Sequence, residues 1–318
     1  MDLTSRLLIF LEVVELGSFA KVAERRNIDR SVVSKQVNKL EQSLGVRLLN
    51  RSTRSFSLTA AGAEMVKKAQ EMRFILSETE QIAENFHTEP KGLLRLTSSS
   101  ILGKRYIQPV INEFQKAYPE VDIELRLEDR LVDIISEGYD LAFRVGPQKD
   151  SNLISRPLAP IRILIAASPE FIKTYGEPAT MQDLAKLPAA TYAGETKRMV
   201  EMPYITDKGE ETSINMRCVF QANDGELILS KALSGTAYAP VPAFVIDQEV
   251  LKGELVPIMQ HVKLPDYYSI NAVYPHRGLP VRSQLFLDAV MDYIGRDKPV
   301  WEKNIPNFDK MYGYSRVC

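Results

Sequence analysis

Only three residues, Arg26-Asn27-Ile28, separate two amphipathic helical patterns, and no other feature constrains the chain as tightly. Upstream, Ser18 follows Gly17 and caps a short helix carrying Val22 and Ala23; downstream, Asp29 caps a longer helix that Gly45 ends. A turn this short forces the helices to cross steeply, which is helix-turn-helix spacing. In the longer helix Val33, Val37, Leu40 and Leu44 fall on one face. Leu7, Phe10, Leu11 and Val14 form an earlier stripe of the same kind. The opposite face of the longer helix carries Ser31, Ser34, Lys35 and Asn38, with Arg30 in the first turn. These short hydroxyl, amide and cationic donors can hydrogen-bond base edges and phosphates in a major groove. Alone, such a face is equally that of a solvated surface helix, and its neighbours decide between the two.

Arg47-Leu48-Leu49 and Phe56-Ser57-Leu58 read as short strands flanking a basic tip, Asn50 to Arg54. Arg51 and Arg54 on that tip reach phosphates or a minor groove. The net charge of -1 conceals an asymmetry: residues 1–60 hold ten Lys and Arg against six Asp and Glu, the remainder thirty against thirty-five. A basic head on an acidic body is the footprint of a nucleic-acid binder.

Residues 1–62 resemble the winged helix-turn-helix of LysR-type transcriptional regulators. The match rests on Gly17-Ser18-Phe19, Ala23, Val33-Ser34-Lys35-Gln36, Leu40-Glu41, Leu44-Gly45-Val46, Leu48-Leu49-Asn50-Arg51, Arg54, Leu58-Thr59 and Ala61-Gly62. The resemblance implies that Ser18, Arg30, Ser31, Ser34, Lys35 and Asn38 contact double-stranded DNA, with Arg51 and Arg54 on its backbone or minor groove. Arg30-Ser31 departs from the Gln-Pro that often opens the family's recognition helix.

A chain of 318 residues has room for two or three domains, and 45% apolar with 25% charged residues is ordinary for a globular protein. Glu12 and Glu15 interrupt the run Leu7 to Leu16, which is no signal sequence, and no stretch approaches membrane-spanning length. The two cysteines, Cys218 and Cys318, read as a small strand residue and a chain end, not a disulfide. A cytoplasmic protein without a membrane partner is expected.

From Thr59 to about His87, Met65, Ala69, Met72, Leu76, Thr79, Ala83 and Phe86 alternate at four and three residues. A helix of about 28 residues is about 42 Å long, too long for its own small head to cover. It either lies on the rest of the chain or pairs with a second copy, and its narrow seam favours the copy. The family resemblance likewise implies a dimer through a linker helix at 59–88, two heads on an inverted-repeat operator, and a homotetramer.

After the hinge Glu89-Pro90-Lys91-Gly92 the pattern becomes α/β. A strand from Leu93, a helix over Tyr106 to Tyr118, a strand over Val121 to Leu127, and the stretches Leu131 to Glu137 and Asp140 to Val145 predict a parallel sheet. A second series follows: Ile161 to Ala167, Pro169 to Tyr175, Met181 to Leu187, a hairpin at Asp207-Lys208-Gly209, and a strand over Asn215 to Phe220. Gly225 to Ser234 is a helix and Thr236 to Pro240 a strand, while Ser269 to Val273 and Arg282 to Ile294 return to the first lobe.

Residues 92–296 thus resemble the family's two-lobed, periplasmic-binding-protein-like (type 2) effector domain. Lobe I is expected at 92–160 and 267–296, lobe II at 161–266, and a C-terminal extension at 297–318, whose Trp301, Phe308, Tyr312 and Tyr314 are expected to pack on the body. The fold class is therefore α/β with an all-α, winged-helix head. The resemblance further implies that a ligand closing the lobes repacks the tetramer, changing DNA bending and contact with RNA polymerase.

Ligands of such sheets bind beyond the carboxyl ends of the strands. Ser98-Ser99-Ser100 offers hydroxyls and backbone N–H groups to a carboxylate or another anion. Arg144 and Gly146, Ala166-Ala167-Ser168, and Asn223-Asp224-Gly225 occupy equivalent places. Helix capping explains Ser, Asp and Asn equally well, and an acidic neighbour explains Arg144. Tyr238 stands where the family carries a branched aliphatic, so it narrows the pocket or stacks on a ligand.

An enzyme is the rival reading. No Gly-x-Ser-x-Gly elbow, phosphate loop or spaced metal-ligand set occurs, and His87, His261 and His276 stand isolated, so neither cofactor nor metal is expected. A transport receptor on the same two-lobed fold is the second rival, and the basic head argues against it.

Overall fold

The computed structural model describes residues 2–51, 56–84, 89–130, 132–146, 153–194, 198–266, 268–275 and 278–314. The chain forms two compact units, Met1–Thr88 with Asp133–Gly138, and Glu89–Val132 with Tyr139–Cys318.

The first unit holds helices α1 (Leu3–Leu16), α2 (Phe19–Arg25) and α3 (Arg30–Leu44), strands β1 (Leu49–Arg51) and β2 (Phe56–Leu58), and helix α4 (Ala60–Glu84). Each of the first three helices starts at a side-chain cap: Asp2 accepts from the Ser5 N–H, Ser18 from Lys21 and Asp29 from Ser31. Gly45, at φ +66°, ends α3 in the left-handed conformation. The helices meet in one core of Ile9, Phe10, Val13, Val22, Val33, Val37, Leu40 and Leu48; on α1 the buried face turns to Ile9 and Val13 beside Phe10, and the expected Leu7 and Val14 are only partly buried against it. Phe19 meets Phe56 edge to face at 5.6 Å, so the wing closes over the same core.

Two polar clamps fix this arrangement. Glu12 on α1 receives both Nε and Nη2 of Arg26 at 2.7 Å, holding the end of α2. Glu41 on α3 accepts the N–H groups of Leu48 and Leu49 at 2.8 and 3.1 Å, so the helix itself positions the first wing strand. Thr59 then caps α4: its hydroxyl accepts from the Gly62 N–H and donates to the Arg47 carbonyl.

The expected heptad helix is described as Ala60–Glu84; Phe86 and His87 lie outside the described residues, as does the Ala83 side chain. Ala69 is buried and Met65 and Met72 are half-buried, whereas Ile75 (59%) and Leu76 (39%) are exposed. Arg73 pairs with Glu15 at 2.9 Å, tying the helix back to α1.

The second unit contains a five-stranded sheet in the order β4-β3-β5-β14-β6, built from β3 (Gly92–Ser98), β4 (Val121–Leu127), β5 (Leu141–Val145), β6 (Ile154–Pro160) and β14 (Ser269–Tyr274). It is mixed: β4 and β5 run parallel to β3, but β14 runs antiparallel to both β5 and β6. The three strands expected to run parallel, those from Leu93, over Val121 to Leu127 and within Asp140 to Val145, do so, and the returning β14 is what makes the sheet mixed. The chain reaches β14 from the second lobe, without the βαβ crossover that imposes parallel pairing.

The helix after β3 begins at Ser100, earlier than expected. A short α5 (Ser100–Leu102) and a π-turn over Gly103–Ile107 precede α6 (Gln108–Ala117). A short α7 (Ile134–Glu137) precedes β5, and Leu131 lies outside the described residues.

The second lobe carries β7 (Ile163–Ala167), α8 (Pro169–Tyr175), α9 (Met181–Lys186), β8 (Pro188–Tyr192), the hairpin β9 (Glu201–Ile205) and β10 (Glu211–Asn215), β11 (Arg217–Ala222), α10 (Gly225–Leu233), β12 (Ala239–Pro242), α11 (Ala243–Leu251) and β13 (Val256–Pro257). Strand β7 lies between β12 and β13, and β8 pairs with β11. The stretch expected as one strand over Asn215 to Phe220 is divided between β10 and β11. After β14, α12 (Val281–Ile294) covers the first sheet, where Phe286 meets Phe114 at 5.1 Å. A last helix, α13 (Val300–Asn304), opens the C-terminal segment, whose Trp301, Phe308, Tyr312 and Tyr314 are all buried.

The start of α4 rests on the wing: a Cβ placed on Gly62 would stand 2.1 Å from the Leu48 carbonyl oxygen. Gly62→Ala therefore has to push α4 off β1. A loss of about 2 kcal/mol, within the range for overpacked sites, is expected in denaturant unfolding of the head. An unchanged midpoint would show that this approach is not needed.

Candidate nucleic-acid interface and ligand-binding segments

Burial of Val33, Val37 and Leu40 turns the other side of α3 outward. Arg30, Ser31, Lys35 and Asn38 are exposed, and Ser34 is half-buried at the edge of the same face. Lys39 and Gln42, which the sequence reading omitted, are also exposed, and Gln42 stands one helical turn beyond Asn38. Their signal was the same spacing that selected Lys35. Ser18, half-buried, spends its oxygen on capping α2, 3.4 Å from the Lys21 nitrogen. Arg51 ends β1; its side chain, with Ser52, Thr53 and Arg54, lies outside the described residues. The site is thus a polar helix face held in place by three clamps beneath it: the Asp29 cap, the Arg26–Glu12 pair and Glu41. Hydrogen bonding to Glu12 raises the pKa of Arg26, so this clamp keeps its charge.

In the second unit, Ser98 ends β3, beside the ends of β4 and β5, and Ser99 and Ser100 follow it. Among the described residues the buried Oγ atoms of Ser98 and Ser99 have no hydrogen-bond partner. Ser100 differs, because its N–H and hydroxyl both donate to Asp129, at 3.0 and 2.6 Å. The helix start proposed for an anion is thereby occupied by a carboxylate of the chain itself. Arg144 donates to the Glu128 carbonyl and, at 2.9 Å, to Thr97 Oγ1, which places its guanidinium across the strand ends. Gly146, at φ +101°, donates its N–H to Ser269 and accepts from Asn271 Nδ2.

Asn223 is exposed and Asp224 caps α10 through the N–H groups of Glu226 and Leu227. The structure brings this segment to the serines: Lys104, in the turn after Ser100, pairs with Glu226 at 2.7 Å, and Glu226 raises its pKa. Ser168 and Tyr238 both lie inside the second lobe and are linked through Phe171. Ser168 caps α8, and Phe171 on that helix meets the Tyr238 ring at 6.3 Å. Asp129 is a participant the sequence did not reveal, since an exposed aspartate after a strand carries no distinguishing pattern.

Tyr238 is fully buried, and its hydroxyl has no partner among the described residues. Burial pushes the phenol pKa well above its ordinary value, so the group stays neutral. A buried hydroxyl without a hydrogen bond costs about 1–3 kcal/mol. Tyr238→Phe is accordingly expected to raise unfolding stability by about 1 kcal/mol. Destabilisation measured in urea would reveal a partner for the hydroxyl.

Among the described residues no group of His, Cys, Asp and Glu could hold a metal ion, and no helix is long and apolar enough to cross a membrane. Two family models match the chain. Residues 4–63 match the bacterial regulatory helix-turn-helix protein, lysR family, and residues 87–294 the LysR substrate binding domain. The HTH-type transcriptional regulator CrgA of Neisseria meningitidis is 31% identical over 297 residues, covering 92% of this chain and 98% of that protein. DmlR of Escherichia coli, another HTH-type transcriptional regulator, is 31% identical over 87% of this chain and 89% of its own length. Among solved structures, full-length AphB, a virulence activator of Vibrio cholerae, superposes with a TM-score of 0.62 at 27% identity, covering 92% of this chain and 99% of that one. CrgA itself superposes with a TM-score of 0.59 at 29% identity, covering 91% and 97%. With a head that presents α3, a two-lobed second unit and both family models matched in order, the chain belongs to the LysR-type family of DNA-binding transcriptional regulators.

Proposed function

We propose that the regulator reads an inverted-repeat operator through two copies of its head. The observation that carries this reading is the outward face of α3, with Arg30, Ser31, Lys35 and Asn38 exposed above a fully buried opposite face. Ser34, Lys35 and Asn38 address base edges and phosphates of the major groove. Arg30 and Ser31 lead the helix in, Ser18 fixes the start of α2 against the backbone, and Arg51 and Arg54 follow the backbone or minor groove.

The division that goes with this reading is a head at 1–62, a linker helix at 59–88, an effector domain at 92–296 and an extension at 297–318. The exposed Ile75 and Leu76 on α4 support self-association through the linker, since water-facing aliphatics gain from burial against a second copy. Two dimers form the homotetramer, which meets RNA polymerase on bent DNA. A small molecule bound near Ser98, Ser99, Ser100, Arg144, Gly146, Asn223 and Asp224 modulates it, with Ser168 and Tyr238 shaping the second lobe behind. The partnerless hydroxyls of Ser98 and Ser99 support such a ligand. The protein works in the cytoplasm and acts by binding, without a chemical step of its own.

Binding to operator DNA, measured by fluorescence anisotropy over a salt series, tests the head. Lys35→Ala is expected to weaken binding and reduce the slope of log affinity against log salt by about one. Asn38→Ala is expected to cost about 1–3 kcal/mol and relax discrimination at one base pair. Wild-type affinity in both variants would refute the assignment of α3. For the linker, sedimentation of Leu76→Lys should show monomers, and an intact dimer would move the interface elsewhere.

A further inference from the structure

The matched domain ends at residue 294, and the described chain continues beyond it through Tyr314. This segment touches both lobes and the crossover between them. Trp301 meets Tyr106 of the first lobe at 4.9 Å and Phe244 of the second at 5.9 Å. Next to it, Asn304 Nδ2 donates to Asp247 Oδ2 at 2.8 Å, while the Tyr106 hydroxyl donates to the other oxygen of Asp247, also at 2.8 Å. The buried Asp247 carboxylate therefore joins a π-turn of one lobe, helix α11 of the other, and the C-terminal segment.

The same π-turn also bonds the second lobe at the two positions before Tyr106. Lys104 reaches Glu226 at 2.7 Å and Arg105 reaches Glu249 at 2.8 Å. At the crossover, the Ile161 N–H donates to the Tyr268 carbonyl, so the outgoing and returning chains lie side by side. The adjacent Arg162 is buried and pairs with the buried Glu302 at 3.1 Å, its guanidinium lying over the rings of Tyr314 and Phe308 at 5.3 and 5.9 Å.

Beyond the crossover the segment completes β7. The Tyr312 hydroxyl accepts from the Ile165 N–H at 3.2 Å and lies 2.6 Å from the Ile258 carbonyl, and the Tyr314 hydroxyl donates to the Ile163 carbonyl at 2.8 Å. Strand β13 pairs only with Ala166 and Ala167, so two phenols serve where that strand stops. Asn307 and Tyr312 hold left-handed φ angles of +58° and +55°. A bulky residue keeps that conformation only where its surroundings over-determine it.

We infer that residues 299–314 are a strap that holds the two lobes in one arrangement, by clamping the Arg162 crossover and bridging Tyr106 to α11 through Trp301, Asn304 and Asp247. The regulator's response to any ligand is then set by this strap, because lobe movement must first break its contacts. This reading is independent of which ligand binds and of the DNA contacts.

Distance measurement between spin labels tests it on the full-length protein. Labels at Lys116→Cys in the first lobe and Lys173→Cys in the second, both highly exposed, are placed in a Cys218→Ser, Cys318→Ser background and diluted with unlabelled chain. The otherwise unaltered strap should give one narrow distribution, and Trp301→Ala with Asn304→Ala a broader one at altered mean distance. Should that pair fail to fold, Asn304→Ala with Tyr312→Phe removes hydrogen bonds alone and carries the same expectation. Hydrogen exchange at the Ile165 N–H, which donates to Tyr312, should rise about tenfold or more in the Tyr312→Phe variant, the equivalent of one lost hydrogen bond. A distribution that stays narrow and unshifted in the folded variant overturns the strap, whether or not exchange at β7 rises.

Discussion

The crossing of α2 and α3 depends on one left-handed residue and one ion pair. Asn27 takes φ +51°, a conformation asparagine tolerates better than most residues, and reverses the chain within the turn. The Ile28 N–H returns to the Ala23 carbonyl at 3.0 Å, and Arg26 locks to Glu12 on α1. With the angle fixed, Val33, Val37 and Leu40 have a single place to go, and the polar side of α3 has to face outward. Glu41 then transfers that geometry to the wing by holding the N–H groups of Leu48 and Leu49. Each wholly buried aliphatic in this core contributes about 1.5–3 kcal/mol, so few residues suffice to hold the polar face of α3 outward.

The second unit uses polar side chains differently. Ser168 and Asp224 cap helices, Arg144 ties strand ends together and Ser100 engages Asp129. Helix caps and ligand donors draw on the same residue types, since both present an oxygen or N–H at the end of an element. What sets Ser98 and Ser99 apart is that their buried hydroxyls lack partners among the described residues. Asp247, by contrast, is saturated, and through Tyr106 and Asn304 it makes the lobes and the C-terminal segment one connected body.

The head was legible in the sequence because its order is local: the 3.6-residue period, the caps at Ser18 and Asp29 and the glycine at 45 all act within a few residues. The second unit was legible as alternating strands and helices, but less completely. Helix α11 escaped because its residues are blocked, Ala243 to Ile246 all apolar and buried and Asp247 to Glu249 all polar, so no 3.6-residue alternation appears. Strand β6 escaped because it contains Pro157 and ends at Pro160, residues that read as breakers yet are tolerated on this edge strand. The sheet's mixed sense depends on where the chain returns after a whole lobe, which no local pattern encodes. The aromatics after residue 296 were visible as side chains in need of burial. That Tyr312 would complete β7, some 147 residues away, could be learned only from the fold.

Genome-wide footprinting of the tagged protein tests most directly the claim that this chain is a DNA reader working as paired heads. The account predicts sharp peaks, each centred on an inverted repeat whose half-sites lie one or more helical turns apart. Soluble, expressed protein that enriches no sites in any growth medium would contradict it.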